Sequence, residues 1–211
     1  MTRAAVFLLS LLGPVLAGAP SHAQTTGPVP TPPAETAPAA GAITPPALAS
    51  ERARRLDELY SRLREADNPR QARVLEAQIG MLMSVSGSDT ADLLMGRAQQ
   101  AMQQRQADLA LSLLDAVIDL QPDFTEAWSR RATLYFARRE FGRAISDLEN
   151  VLRLEPRHFG AMVGLGMLLQ QLGDEKGALT ALQQAMEVNP HIERVPQIIQ
   201  RLKPKVDGVE L

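Results

Sequence analysis

The chain has no cysteine, which excludes disulfides, thiolate metal sites, thiol nucleophiles and a lipidated cysteine anchor. Aromatic residues make up only 4% of its 211 positions, with a single tryptophan. Its core therefore has to be built from Ala, Leu, Met and Val, which apart from Val are good helix formers. The formal charge is −2, far from the strongly basic face that a nucleic-acid partner requires. A long hydrophobic run is missing too. The most apolar stretch, Ala4 to Ala17, is broken by Gly13 and Pro14 and falls short of the ~20 residues that span a bilayer.

That stretch reads instead as the middle of a secretory leader. Arg3 supplies the positive start, and Ser21-His22-Ala23 places small residues where a signal peptidase cuts, so residues 1–23 are expected to be removed before Gln24. No stable membrane anchor would then remain, and an exported, periplasmic location is expected. Residues 24–48 carry seven prolines and one charge, Glu35. Such a composition cannot bury enough apolar surface to offset its ordering entropy, so the segment is expected to be a disordered linker.

Amphipathic patterning begins at Ala49. Leu56, Leu59 and Leu63 recur at three and four residues, and Asn68-Pro69 reads as the cap and first turn of a second helix through Val74, Leu75, Ile79 and Leu82. Residues 49–90 are therefore expected to form a helical hairpin that caps the first of a series of repeats. In that series, prolines fall at Pro122, Pro156 and Pro190, a period of 34 residues. Three segments align on that period without a gap: Ala91 to Phe124, Thr125 to His158, and Phe159 to Ile192, the last two residues leading out of the 91–190 array. The recurring columns are Leu94, Trp128, Met162; Ala98, Ala132, Gly166; Ala101, Tyr135, Leu169; Ala110, Ala144, Ala178; Leu114, Leu148, Leu182; and Val117, Val151, Ala185. Small residues at 98, 132 and 166 facing 110, 144 and 178 let paired helices approach closely, and each proline stops a helix so that the chain must turn. Only the third copy marks its inner turn clearly, with Gly173-Asp174. Val195, Ile198, Ile199 and Leu202 predict an exit helix, stopped by Lys203-Pro204, within the final segment 191–211.

These columns resemble the tetratricopeptide-repeat family, whose unit runs W-x2-L-G-x2-Y, A-x3-F, P. The resemblance implies an all-α, right-handed α-solenoid of three helix hairpins, flanked here by the N-terminal hairpin and the exit helix. Arg97 and Arg131 depart from the family, standing in a column that is usually apolar. The resemblance also implies a concave groove lined by the first helix of each hairpin. Carried onto this chain, the groove residues are Met95, Gln99 and Met102; Ser129, Thr133 and Phe136; and Val163, Met167 and Gln170. Such a surface is adaptable and partly apolar, suited to a protein or peptide ligand. The Lys/Asn/Arg clamp with which some members hold C-terminal carboxylates is not reproduced at Met95, Gln99, Ser129 and Thr133, although Arg97, Arg130 and Arg131 stand nearby. The run Leu152 to Gly173 is similar to short exported members from alphaproteobacterial cell envelopes, which implies envelope assembly or maintenance through protein partners.

Catalytic constellations are not evident in the sequence. His158 and His191 each lie just after a repeat-ending proline and read as solvated turn residues. Gly164-Leu165-Gly166 lacks the strand, the third glycine and the Lys-Ser/Thr of a phosphate loop, and reads as a site of close helix contact. No nucleophile-elbow motif surrounds any serine. The expectation is a non-enzymatic interaction module with no cofactor and no metal. Self-association into a structural envelope protein is the alternative, followed by an accessory subunit of an envelope enzyme.

Overall fold

The computed structural model describes residues 45–208, and the expected leader, its cleavage site and most of the linker lie outside them. The regular elements among the described residues are all helices: α1 (Pro45–Arg64), α2 (Pro69–Met83), α3 (Asp89–Gln103), α4 (Ala107–Leu120), α5 (Thr125–Ala137), α6 (Phe141–Leu154), α7 (Phe159–Gln171), α8 (Glu175–Val188) and α9 (Val195–Asp207). Helix α1 starts at Pro45, inside the stretch whose composition reads as linker. None of these helices is long and apolar enough to cross a membrane.

Three hairpins, α3/α4, α5/α6 and α7/α8, carry the 34-residue period into space. The small columns sit where the paired helices touch: Ala98, Ala110, Ala132, Ala144 and Ala178 are at most 2% exposed. Gly166 is the tightest point. A Cβ there would stand 2.7 Å from Leu182 Cγ and 3.2 Å from the Ala178 carbonyl, whereas at Gly164 it would make only an ordinary 3.5 Å contact with Leu148. The close helix approach therefore belongs to Gly166 alone. Trp128 joins two neighbouring cores, and its indole N–H donates to the Pro122 carbonyl at 2.9 Å. Tyr135 is buried beside it in the second core.

The inner turns are more uniform than the sequence suggests. Arg105, Arg139 and Gly173 all take positive φ, 59°, 61° and 85°. Each is followed by the same closing bond, from Gln106 to Ala101, Glu140 to Tyr135 and Asp174 to Leu169, all at 2.9 Å. Only the third turn has the residue that favours this backbone. The two arginines adopt it against a preference of roughly 1–2 kcal/mol, because helix pairing on both sides fixes the turn.

Arg131 resolves its departure from the family pattern. Its Nε and Nη2 bind the two oxygens of Asp147 at 2.9 and 2.8 Å, and Nη1 reaches Asp115 of the preceding repeat at 2.7 Å. The guanidinium also lies 4.8 Å from the Trp128 ring centroid. Hydrogen bonding to Asp147 raises its pKa further, so the charge is permanent and paired. Arg131 thus ties α4, α5 and α6 together where an apolar residue would only fill space.

The two ends differ from expectation. Val195, Ile199 and Leu202 stand 34 residues beyond Ala161, Leu165 and Leu168, so α9 occupies the register of a fourth repeat's first helix, packed on α8. It does not stop at Pro204 but runs to Asp207, ending at Gly208 with φ 71°. Proline there removes one hydrogen bond from an already fraying last turn, and Val206 recovers contact with the core.

The N-terminal hairpin does not cap the first repeat. Leu59, Tyr60, Leu63, Leu75 and Ile79 share a core with Met162, Ala185 and Val188 of the third. Polar contacts fix it to the turns that come after the repeats. Arg157 pairs with Glu155 and also reaches Asp57 at 2.6 Å, with its guanidinium 4.6 Å from the Tyr60 ring centroid. Asn189, fully buried, donates to Glu76 at 2.5 Å. His191 Nε2 meets the Ala66 carbonyl at 2.7 Å and so donates to it, while Arg73 pairs with Glu193 at 3.0 Å. His191 is therefore a bonding residue of this seam rather than a solvated one. His158 differs from its expectation as well. It is half-buried, and its Nδ1 caps α7 by accepting the Ala161 N–H at 3.0 Å.

Candidate functional site

Helices α5 and α7, the first helices of successive hairpins, run side by side with α6 behind them. Between them is a cleft of about 220 Å³ lined by Ser129, Ala132, Thr133, Phe136, Leu148, Gly160, Gly164, Met167 and Leu168. Its opening reflects the local sequence. Gly160 and Gly164 lie four residues apart on one face of α7 and present no side chain, while Leu148 closes the floor from α6. On the opposite wall the Thr133 hydroxyl donates back to the Ser129 carbonyl at 3.0 Å, which leaves the Thr133 methyl for the cleft. Phe136 and Met167 form the rim and remain 41% and 47% exposed. The Phe136 ring is braced by Phe141, centroid to centroid 5.9 Å.

Four residues expected in the groove, Ser129, Thr133, Phe136 and Met167, are thus brought together. The others are placed elsewhere. Met95 is 7% exposed and belongs to the first core. It shares a column with Ser129, but a long thioether chain reaches inward where a serine cannot. Met102 packs against the same core. Gln99 accepts a hydrogen bond from Arg130, whose Nε binds Glu126 at 2.8 Å. Burial raises the Glu126 pKa and Arg130 counters it. Val163 is taken up by the hairpin core and the α8/α9 core, and half-exposed Gln170 does not line the cleft. The cleft residues that sequence reasoning left out are Ala132, Leu148, Gly160, Gly164 and Leu168. The Gly160/Gly164 pair was the available signal, since two glycines on one helix face mark a surface without side chains.

The charge around the cleft is mostly committed. Arg130 and Arg131, which stood as sources of positive potential, are spent on Glu126, Gln99, Asp147 and Asp115. What the cleft offers a ligand is an aromatic ring, a thioether, small apolar walls and the Ser129 hydroxyl.

A tetratricopeptide-repeat family model matches residues 95–148 and 129–190. A TPR repeat-containing protein of Rhizobium etli is 36% identical over 154 residues, spanning 73% of this chain and 76% of that one. The chain belongs to the tetratricopeptide-repeat family. Solved structures agree on the fold of this tetratricopeptide protein. The first TPR of Spaghetti (RPAP3), bound to the HSP90 peptide SRMEEVD, superposes with a TM-score of 0.54 at 19% identity, covering 57% of this chain and 95% of that one. The TPR2B domain of yeast Sti1 in complex with an Hsp70 peptide gives 0.51 at 18%, covering 56% and 99%.

Proposed function

We propose that this protein is a non-enzymatic interaction module of the bacterial cell envelope that seats a partner protein or peptide between α5 and α7. The observation that carries the reading is the cleft itself, walled by small and apolar residues and rimmed by exposed Phe136 and Met167. Burying two such side chains on a partner contributes about 2 kcal/mol each, enough to anchor an amphipathic helix or an extended segment. The similar solved structures that hold HSP90 and Hsp70 peptides support a peptide-like ligand. Because the carboxylate-clamp residues are missing and Arg130 and Arg131 are already paired, the ligand is one recognised by apolar side chains rather than by its C-terminal carboxylate. The envelope location rests on the leader-like residues 1–23.

The test is photocrosslinking in intact cells from a reactive residue at Thr133, with Phe136→Glu and Met167→Glu as controls. Both rim residues are exposed, so each variant should keep its helicity and lose the crosslinked partner. A crosslink that survives both substitutions would overturn the cleft assignment. Met95→Glu is unsuitable as a control, because it would charge the core.

A further inference from the structure

Successive hairpins meet in the same register, but the chain fills the junctions differently. Gly160 and Gly164 of α7 share their columns with Glu126 and Arg130 of α5. Between α3 and α5 those two side chains occupy the space. Arg130 pairs with Glu126 at 2.8 Å and crosses to Gln99 of α3, while Met95 turns into the core at 7% exposure. Between α7 and α9 the column of Gly164 holds Ile198, which packs with Val163 against the α8/α9 core. Between α5 and α7 the two glycines leave the space open, as the cleft of about 220 Å³.

The fold does not require glycine at position 164. A Cβ there would meet Leu148 at an ordinary 3.5 Å, and one at Gly160 would stand 3.3 Å from His158 Cε1, whereas at Gly166 Leu182 Cγ would be 2.7 Å away. Glycine inside a helix is destabilising relative to alanine. Gly164 therefore weakens α7 without easing its packing, and what it provides is bare backbone facing the cleft.

That bare wall sets the shape and chemistry of the occupant. The glycines are one helical turn apart, roughly 6 Å, and lie opposite the Thr133 methyl, with Phe136 and Met167 at the rim. The volume matches about seven waters at ~30 Å³ each, which is room for one large side chain. No lining residue is charged, so a charged side chain would lose its hydration with nothing to offset the loss. A planar ring suits the space best. It can lie flat on the glycine wall, and the Phe136 ring and the Met167 thioether each attract an aromatic beyond the area they bury. A branched aliphatic chain gains from area alone.

We propose that Gly160 and Gly164 make the cleft selective for a single aromatic side chain of the partner, Phe, Tyr or Trp, seated on the bare face of α7. The inference rests on the α5–α7 cleft being the binding site and adds which side chain it reads.

NMR titration of the full chain, followed at the Thr133 and Met167 methyls, tests it with the N-acetyl amides of phenylalanine, leucine and lysine as probes. The phenylalanine amide should shift both methyls at millimolar concentrations, on the order of what one buried ring supplies. It should bind about fivefold more tightly than the leucine amide, and the lysine amide should leave both methyls unmoved. Gly164→Ala should weaken the phenylalanine amide by about tenfold and yet raise the melting temperature by about 2 °C. Gly166→Ala, whose Cβ would collide with Leu182, should lower it. A phenylalanine amide that shifts neither methyl, binds no better than the leucine amide or ignores Gly164→Ala would overturn the inference. So would a Gly164→Ala variant that melts lower, since the glycine would then serve the fold. The crosslink from Thr133 and its loss in Phe136→Glu test the cleft separately, so selectivity can fail while the site stands.

Discussion

The two ends of the solenoid are closed in different ways. At the C-terminal end α9 obeys the repeat: Val195, Ile199 and Leu202 fall on the columns set by the preceding copies, and the helix docks where the next repeat would begin. Its outward face, with Gln200, Arg201 and Lys203, is polar and finishes the stack. At the N-terminal end α1–α2 has helical periodicity without the repeat's columns. It docks two repeats away, on the third, through a core shared with that repeat and a seam of polar bonds. Columns propagate a register because each hairpin's surface is complementary to the next, and a helix pair without them settles wherever specific contacts are best.

The sharpest way to break this comparison is a matched pair of deletions at fully buried leucines, Leu202 in α9 and Leu63 in α1. Leu202→Ala and Leu63→Ala should each cost about 3 kcal/mol, but not in the same place. Hydrogen exchange should show Leu202→Ala lowering protection throughout α7–α9, and Leu63→Ala lowering it mainly in α1 and α2. Equal loss across the whole chain in both would mean that the ends are one cooperative unit.

Arg157→Ala comes next. It leaves Glu155, 9% exposed, without its bidentate partner and removes the cation over Tyr60. A loss of about 2 kcal/mol is expected, below the full cost of breaking a buried pair because Arg157 is itself partly solvated. Urea denaturation measures the loss, and enhanced proteolysis at residues 84–88 would report the released hairpin.

His158 supplies a pH test of the helix on which the hairpin rests. Burial lowers its pKa in the folded state, with Glu155 opposing that shift, and Nδ1 must stay unprotonated to cap α7. A depressed folded-state pKa means that the unfolded chain binds the proton more tightly. Stability is therefore complete above the ordinary histidine value of about 6.5 and falls as pH drops below it. His158→Asn keeps a capping oxygen and should flatten that part of the stability profile, at a cost below about 1 kcal/mol at neutral pH. An unchanged slope in thermal melts between pH 7 and 5 would sink this account.

The smallest effect is expected at the turns that both ends share with the middle. Arg139→Gly should stabilise by up to about 1 kcal/mol, since glycine takes positive φ without strain. The gain should appear in the global melting temperature and leave hairpin protection untouched.

These cases separate what was legible in the residues from what was not. The period and the A-helix/B-helix columns were legible, because small residues at 98, 132 and 166 and prolines at 122, 156 and 190 are local requirements of hairpin packing. Half of the cleft was legible for the same reason: Ser129, Thr133, Phe136 and Met167 are set by helix phase. Met95 and Val163 were not, since phase says which way a side chain leaves its helix but not whether a neighbouring element covers it. The left-handed turns at Arg105 and Arg139 were hidden as well, because tertiary pairing imposes a backbone that the residue itself disfavours.

By itself the sequence determined an all-helical repeat of 34 residues, the number of hairpins, their internal contacts and the helix that ends the stack. Those are interactions within one repeat or between neighbours, and periodicity encodes them directly. Only the tertiary structure decided where the N-terminal hairpin lies, which repeat face it leaves open, and which groove residues reach solvent. These depend on single contacts such as Asp57 with Arg157, 100 residues apart, and His191 with Ala66, 125 apart. No local pattern carries such pairs, because their free energy is realised only after the solenoid has formed and brought its turns to one edge.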